Sequence, residues 1–85
     1  MILFAFEPYH SMVEVLHQAT DLTLGSFGVM RFENGELHID LRTAVASGRC
    51  IVLGSIAPPD ELLSTFLLAH TLKKEDARWV TGVFP

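Results

Sequence analysis

Five consecutive residues, Phe32-Glu33-Asn34-Gly35-Glu36, gather an aromatic ring, a carboxamide and two carboxylates in the space of one turn. An aromatic face can stack on a heterocycle, a carboxamide donates and accepts at once, and a carboxylate accepts from an exocyclic amine. Phe32, Asn34 and Glu36 could therefore read the edge of a purine such as adenine. A purely structural account competes with this. Asn-Gly between alternating apolar runs signals a hairpin, because both residues tolerate positive φ, and Glu33 and Glu36 would then only solvate the turn.

The remaining candidates are thinner. His10 and His17 lie two helical turns, ~10 Å, apart and cannot share one ion. His38 and Asp40 share a strand face and would supply two metal ligands, one short of a useful set. Solvated strand positions are the simpler reading of both. No GxxxxGK[ST] or GxGxxG phosphate cradle is present. Gly25-Ser26-Phe27-Gly28 is too short and precedes a strand, and Asp60-Glu61 at a helix start would repel an anion. The serines lack a GxSxG setting. The single cysteine, Cys50, runs into Ile51-Val52-Leu53 and reads as a buried, inert thiol. No catalytic residue and no metal site are expected within the chain.

The elements that must position the tip follow from periodicity. Ile2–Phe6 is a short apolar run that reads as a buried strand. Pro8 suits the first turn of a helix, along which Met12, Val15, Leu16 and Ala19 recur at helical spacing. Leu22–Arg31 reads as extended, bent at Gly25 or Gly28. Leu37, Ile39 and Leu41 alternate with polar residues, so this strand is half-buried and pairs with its predecessor across Asn34-Gly35. Cys50–Leu53 is a second buried strand. After Pro58-Pro59, a helix runs from Asp60-Glu61 to about Leu72, apolar enough to be buried on two sides, with Lys73-Lys74 at its end. Arg78–Phe84 reads as a third buried strand. The expected fold is α/β: a parallel sheet with flanking helices and an antiparallel hairpin to one side.

Composition agrees with a folded core: 49% of the 85 residues are hydrophobic and 19% charged. A single domain of this size buries only about 60–65% of its unfolded surface, so apolar surface meeting a partner is expected. A net charge of −4 with no basic cluster beyond Lys73-Lys74 argues against nucleic acid and anionic membranes. No apolar run approaches the ~18 residues of a membrane span. The lone cysteine and the lack of a charged leader fit a reducing cytoplasm.

Four segments, in order, resemble the ribose-phosphate pyrophosphokinase (PRPP synthetase) family. Arg31–Ile39 is similar to its F-x-[DN]-G-E hairpin, Gly48–Ser55 to its RG-x-D-V strand, Pro58-Pro59-Asp60-Glu61-Leu62-Leu63 to its helix entry, and Arg78–Pro85 to its R-I-T-A-V-I-P strand. The resemblance covers nearly all of the chain. Glu33 replaces a family proline and Gly54 a family glutamine. It implies a partial domain of the type I phosphoribosyltransferase fold, spanning residues 1–85. It also implies a parent that transfers pyrophosphoryl from ATP to ribose 5-phosphate with magnesium. Phe32, Asn34 and Glu36 would then contact the adenine of ATP bound at a neighbouring subunit of a homo-oligomer. The family's ATP-phosphate, ribose-phosphate and flexible catalytic segments find no counterpart in these residues, so the chain alone is expected to have no turnover. Two alternatives stand beside this: a non-catalytic regulatory or structural homologue, and a small α/β oligomerisation module.

Overall fold

The computed structural model describes residues 1–55 and 59–85; Pro58, where the sequence marks a break, lies outside them. The chain runs β1 (Ile2–Ala5), a single 3-10 turn (Glu7–Tyr9), α1 (His10–Ala19), β2 (Thr23–Leu24), β3 (Phe27–Arg31), β4 (Leu37–Leu41), β5 (Arg49–Leu53), α2 (Pro59–Lys74) and β6 (Trp79–Val83). Four strands form a parallel sheet in the order β2-β1-β5-β6, and β3-β4 form a separate antiparallel ribbon. The registers Ile2↔Cys50, Leu3↔Ile51 and Phe4↔Val52 between β1 and β5 continue as Cys50↔Val80 between β5 and β6.

Period-two alternation divides the core between the two faces of this sheet. Phe4, Cys50 and Val52 point to one face and pack with Val45, Leu68, Leu72 and Ala77, over which the hairpin contributes Phe27, Ile39 and Leu41. Leu3 and Leu53 point to the other and pack with Val13, Tyr9 and Leu16 around α1. The apolar stripe of α1 is therefore not the expected one. Val13 and Leu16 turn inward, while Met12, Val15 and Ala19 are exposed. A three-turn helix with apolar residues on more than one side docks by whichever stripe its loops aim at the sheet.

The extended run Leu22–Arg31 is two strands rather than one. Thr23 and Leu24 pair with β1, and the Gly25 N–H still donates to the Leu3 carbonyl at 2.8 Å. The chain then leaves the sheet, because Gly25 lies directly against the Phe4 ring, where any side chain would collide. Ser26 is anchored on the ribbon by its N–H donating to Thr43 Oγ1 (2.8 Å) and its carbonyl accepting from Arg42 N–H (2.9 Å).

Helix α2 carries Asp60 and Glu61 in its first turn and Lys73 and Lys74 in its last, complementing its dipole. Thr65, Leu68 and Leu72 are buried, and the helix meets both the sheet and β4, yet Leu63 and Phe66 stay exposed. It ends in a Schellman arrangement: Ala77 N–H donates to Leu72 O (3.0 Å) and Asp76 N–H to Lys73 O (3.1 Å). Asp76 holds φ at +66°, a conformation that suits glycine. Asp76→Gly should therefore raise stability by about 0.5–1 kcal/mol, read as a higher urea midpoint. An unchanged or lower midpoint would show that the aspartate carries no strain there.

The last strand forms where its apolar run places it and supplies apolar surface of the kind expected to meet a partner. Trp79–Val83 pairs with β5 on one side only, and Trp79, Val83 and Phe84 are 41–50% exposed rather than buried. A groove of about 640 Å³ runs between β6 and α2, lined by Phe66, His70, Lys73, Trp79, Val80 and Phe84 among others.

Candidate functional site

The tip of the β3–β4 hairpin is built by register and by one glycine. Arg31 pairs with Leu37 at the last rung. Phe32 N–H then donates to Glu36 O (2.8 Å) and Gly35 N–H to Phe32 O (2.8 Å), enclosing Glu33, Asn34 and Gly35. Only Gly35 has positive φ, at +85°. The turn is thus a three-residue loop with a glycine bulge, not the two-residue Asn-Gly turn in which both central residues would be left-handed. The extra residue frees Asn34 from turn-forming duty and swings its side chain toward Glu36.

The three sequence-derived site residues do come together. Asn34 Oδ1 accepts from Glu36 N–H at 3.0 Å, and Asn34 Nδ2 donates to Glu36 Oε2 over a long 3.4 Å. Phe32 presents its ring with 42% of its surface exposed. The tip therefore offers an aromatic face, an amide and a carboxylate side by side, with only one long bond between the last two to exchange for a ligand.

Two residues not assigned to the tip from sequence complete it. His38 lies on the same strand face as Glu36. Its ring stacks on Phe32 (centroids 4.2 Å apart, planes 30° apart), and its Nε2 is 3.8 Å from Glu36 Oε1. Arg31 donates to the Gly35 carbonyl (3.1 Å) and reaches Asp60 at 4.0 Å, an exposed pair worth little energy that nevertheless directs the hairpin toward the start of α2. Period two alone places Glu36 and His38 on one face, so that half of the arrangement is legible in sequence. The stack with Phe32 needs the register.

His38 and Asp40, weighed from sequence as two ligands, one short of a metal set, take separate partners. His38 turns to Phe32 and Glu36, while Asp40 accepts from Arg42 Nε at 3.0 Å. His10 and His17 each bond a backbone carbonyl, Ala5 O (3.3 Å) and Leu22 O (2.9 Å). Among the described residues no three His, Cys, Asp or Glu side chains group as a metal site would require. Cys50 is buried, as its apolar neighbours imply, and burial pushes its thiol up, partly offset by the amino terminus. A thiol held protonated is a poor nucleophile.

The family model describing the N-terminal domain of ribose phosphate pyrophosphokinase matches residues 1–85. The chain belongs to this family. A protein named putative ribose-phosphate pyrophosphokinase 2 from Lactiplantibacillus plantarum is 27% identical over 85 residues, covering 98% of this chain and 26% of the relative. Ribose-phosphate pyrophosphokinase 1 of Streptococcus pneumoniae gives the same identity and coverage. The chain thus spans about a quarter of the length of these curated relatives. In fold it is similar to phosphoribosylpyrophosphate synthetase from Mycobacterium smegmatis (TM-score 0.82, 20% identity, 99% of this chain and 29% of that one). A hypoxanthine phosphoribosyltransferase from Staphylococcus aureus superposes with a TM-score of 0.69 at 15% identity, over 98% of this chain and 48% of that one. The parallel sheet with its helices and ribbon is accordingly phosphoribosyltransferase-like.

Proposed function

We propose that this chain is the amino-terminal part of a protein that makes PRPP from ATP and ribose 5-phosphate, and that its hairpin tip binds the adenine of ATP at a contact between subunits. The observation that carries the reading is the grouping of Phe32, Asn34 and Glu36 on one exposed tip. Phe32 stacks on the base, Glu36 accepts from the exocyclic amine, and Asn34 pairs with the adjoining ring nitrogen. Guanine reverses the amine's place with a carbonyl and would face the Glu36 carboxylate with a like acceptor, so adenine is preferred.

In this reading the chain binds and orients, and does not transfer. Stabilising a migrating phosphoryl group takes free cations and metal ligands. Arg31 and Arg42 are paired with Asp60 and Asp40, Arg49 and Arg78 stack on Trp79 at 4.3 and 4.9 Å beside the β6 edge, and Lys73 and Lys74 stand in the last turn of α2, at the end away from Asp60 and the tip. The chain by itself therefore has no turnover; magnesium and the catalytic groups belong to the assembled enzyme, in the cytoplasm. The uncovered β6 edge and groove also favour a homo-oligomer, and with it the second reading, an α/β oligomerisation module without nucleotide chemistry.

Isotope-labelled chain titrated with Mg-ATP and with adenosine separates the two. Shifts should concentrate at Phe32, Asn34 and Glu36, weak and in the millimolar range. Phe32→Ala should weaken them roughly tenfold, the loss of one stacked base. A folded sample with no shift at the tip would leave the oligomerisation reading.

A further inference from the structure

The tip has a back as well as a front. Phe32 and Glu36 face each other across the end of the ribbon, where Phe32 N–H donates to Glu36 O. His38 touches both, stacked on the Phe32 ring at 4.2 Å and 3.8 Å from the Glu36 carboxylate. It stands opposite Met30 in the register, so its ring has an apolar neighbour across the ribbon and the Glu36 carboxylate along its own strand. The other acid on that face, Asp40, is occupied by Arg42. On β3, the Arg31 guanidinium is taken up by Gly35 O and Asp60.

We infer that His38 is a positioning residue for the nucleotide-reading tip: it fixes the Phe32 ring from behind, leaving the opposite face for the base. The inference rests on the adenine reading proposed above. An aromatic packed on another gains from ring offset and contact, and a ring already held in one rotamer loses less freedom when a base stacks on it.

The experiment is adenosine binding to the full chain, followed by NMR at pH 8, for the native sequence, His38→Phe and His38→Ala. The substituted position, His38, is exposed, so unfolding is not expected, and amide spectra report it directly. At pH 8, His38→Phe should bind within about twofold of the native chain, because the stack survives. His38→Ala should bind roughly three- to tenfold more weakly, the range for one lost aromatic pair. Equal binding by native and His38→Ala chains, or binding by His38→Phe as weak as by His38→Ala, would overturn the inference while leaving the adenine reading intact. Absence of any adenosine shift at Phe32 in the native chain would instead remove that reading, and the inference with it.

Discussion

Replacing Phe4 by alanine should cost about 3–5 kcal/mol, the range for deleting a fully buried aromatic ring. Phe4 has 0% exposure. Its ring lies 6.0 Å from that of Phe27, and Gly25 presses against its edge. The vacated space has little means of collapsing. The sheet backbone on one side is fixed by pairing of Phe4 with Val52, and Leu68 and Leu72 on the other are rigid parts of α2. A chain of this length is typically stable by only about 4–13 kcal/mol, so the substitution should remove roughly a quarter to two-fifths of the total at the upper bound and most or all of it at the lower. Urea unfolding followed by tryptophan fluorescence measures this, Trp79 being the one reporter. Phe27 opens β3, so the loss should also unseat the hairpin and abolish any nucleotide response at Phe32. A midpoint change equivalent to less than about 1 kcal/mol would contradict the packing of the core around Phe4.

That core is where sequence and structure agree most closely. Ile2–Ala5 and Arg49–Leu53 are strands bounded almost as their apolar runs suggest, because a strand buried on both faces has no other solution for four or five consecutive apolar residues. Cys50 is buried for the same reason. The grouping of Phe32, Asn34 and Glu36 was legible too, since five residues around one glycine have few ways to fold. What the sequence did not disclose depends on the relation between elements. Met12 and Val15 satisfy helical spacing as well as Val13 and Leu16 do, and only the angle at which the Glu7–Tyr9 turn delivers α1 selects between them. Thr23-Leu24 is too short to announce itself as a strand, and joins the sheet because Gly25 permits contact with Phe4. His38 was weighed as a metal ligand with Asp40, whereas the hairpin register turns it to Phe32. The apolar run at β6 was read as buried, yet hydrophobicity specifies only that a strand is suited to burial. Within the described residues one edge and much of both faces are left uncovered.

That exposure leads to the second large effect. Phe66, Trp79 and Phe84 are 45–59% exposed, and since such rings bury about 150–250 Å² when covered, each has roughly 100 Å² to give. With Leu63, Val83 and the free backbone edge of β6, two copies would bury on the order of 1,000 Å² together, the lower bound for a specific association. The edge is also self-complementary. An antiparallel pair of β6 strands centred on Thr81 sets Trp79 opposite Val83 of the second copy and Thr81 opposite its equivalent, both favourable cross-strand pairs, with no acidic residue from Ala77 to Pro85 to repel. Such a two-fold contact joins two four-stranded sheets into one and leaves the hairpin tip of each copy free. Sedimentation of the 85-residue chain at about 100 µM should therefore show dimers, the affinity class open to an interface of this size. Thr81→Lys should return the chain to monomer, because a lysine on an edge strand is the common natural block to further pairing. Thr81 is exposed in the single chain, so the charge costs nothing in folding and acts only on the contact. A native chain that stays monomeric at that concentration, or a Thr81→Lys chain that still dimerises, would show that β6 is not the surface through which copies meet. The first result would leave the base-reading residues of the hairpin in place, since Phe32, Asn34 and Glu36 lie on one tip, but the subunit contact proposed for the nucleotide would then have to form through another surface. Nucleotide binding that strengthens as native dimers form, and fails to do so in Thr81→Lys, would join the two surfaces into one functional unit.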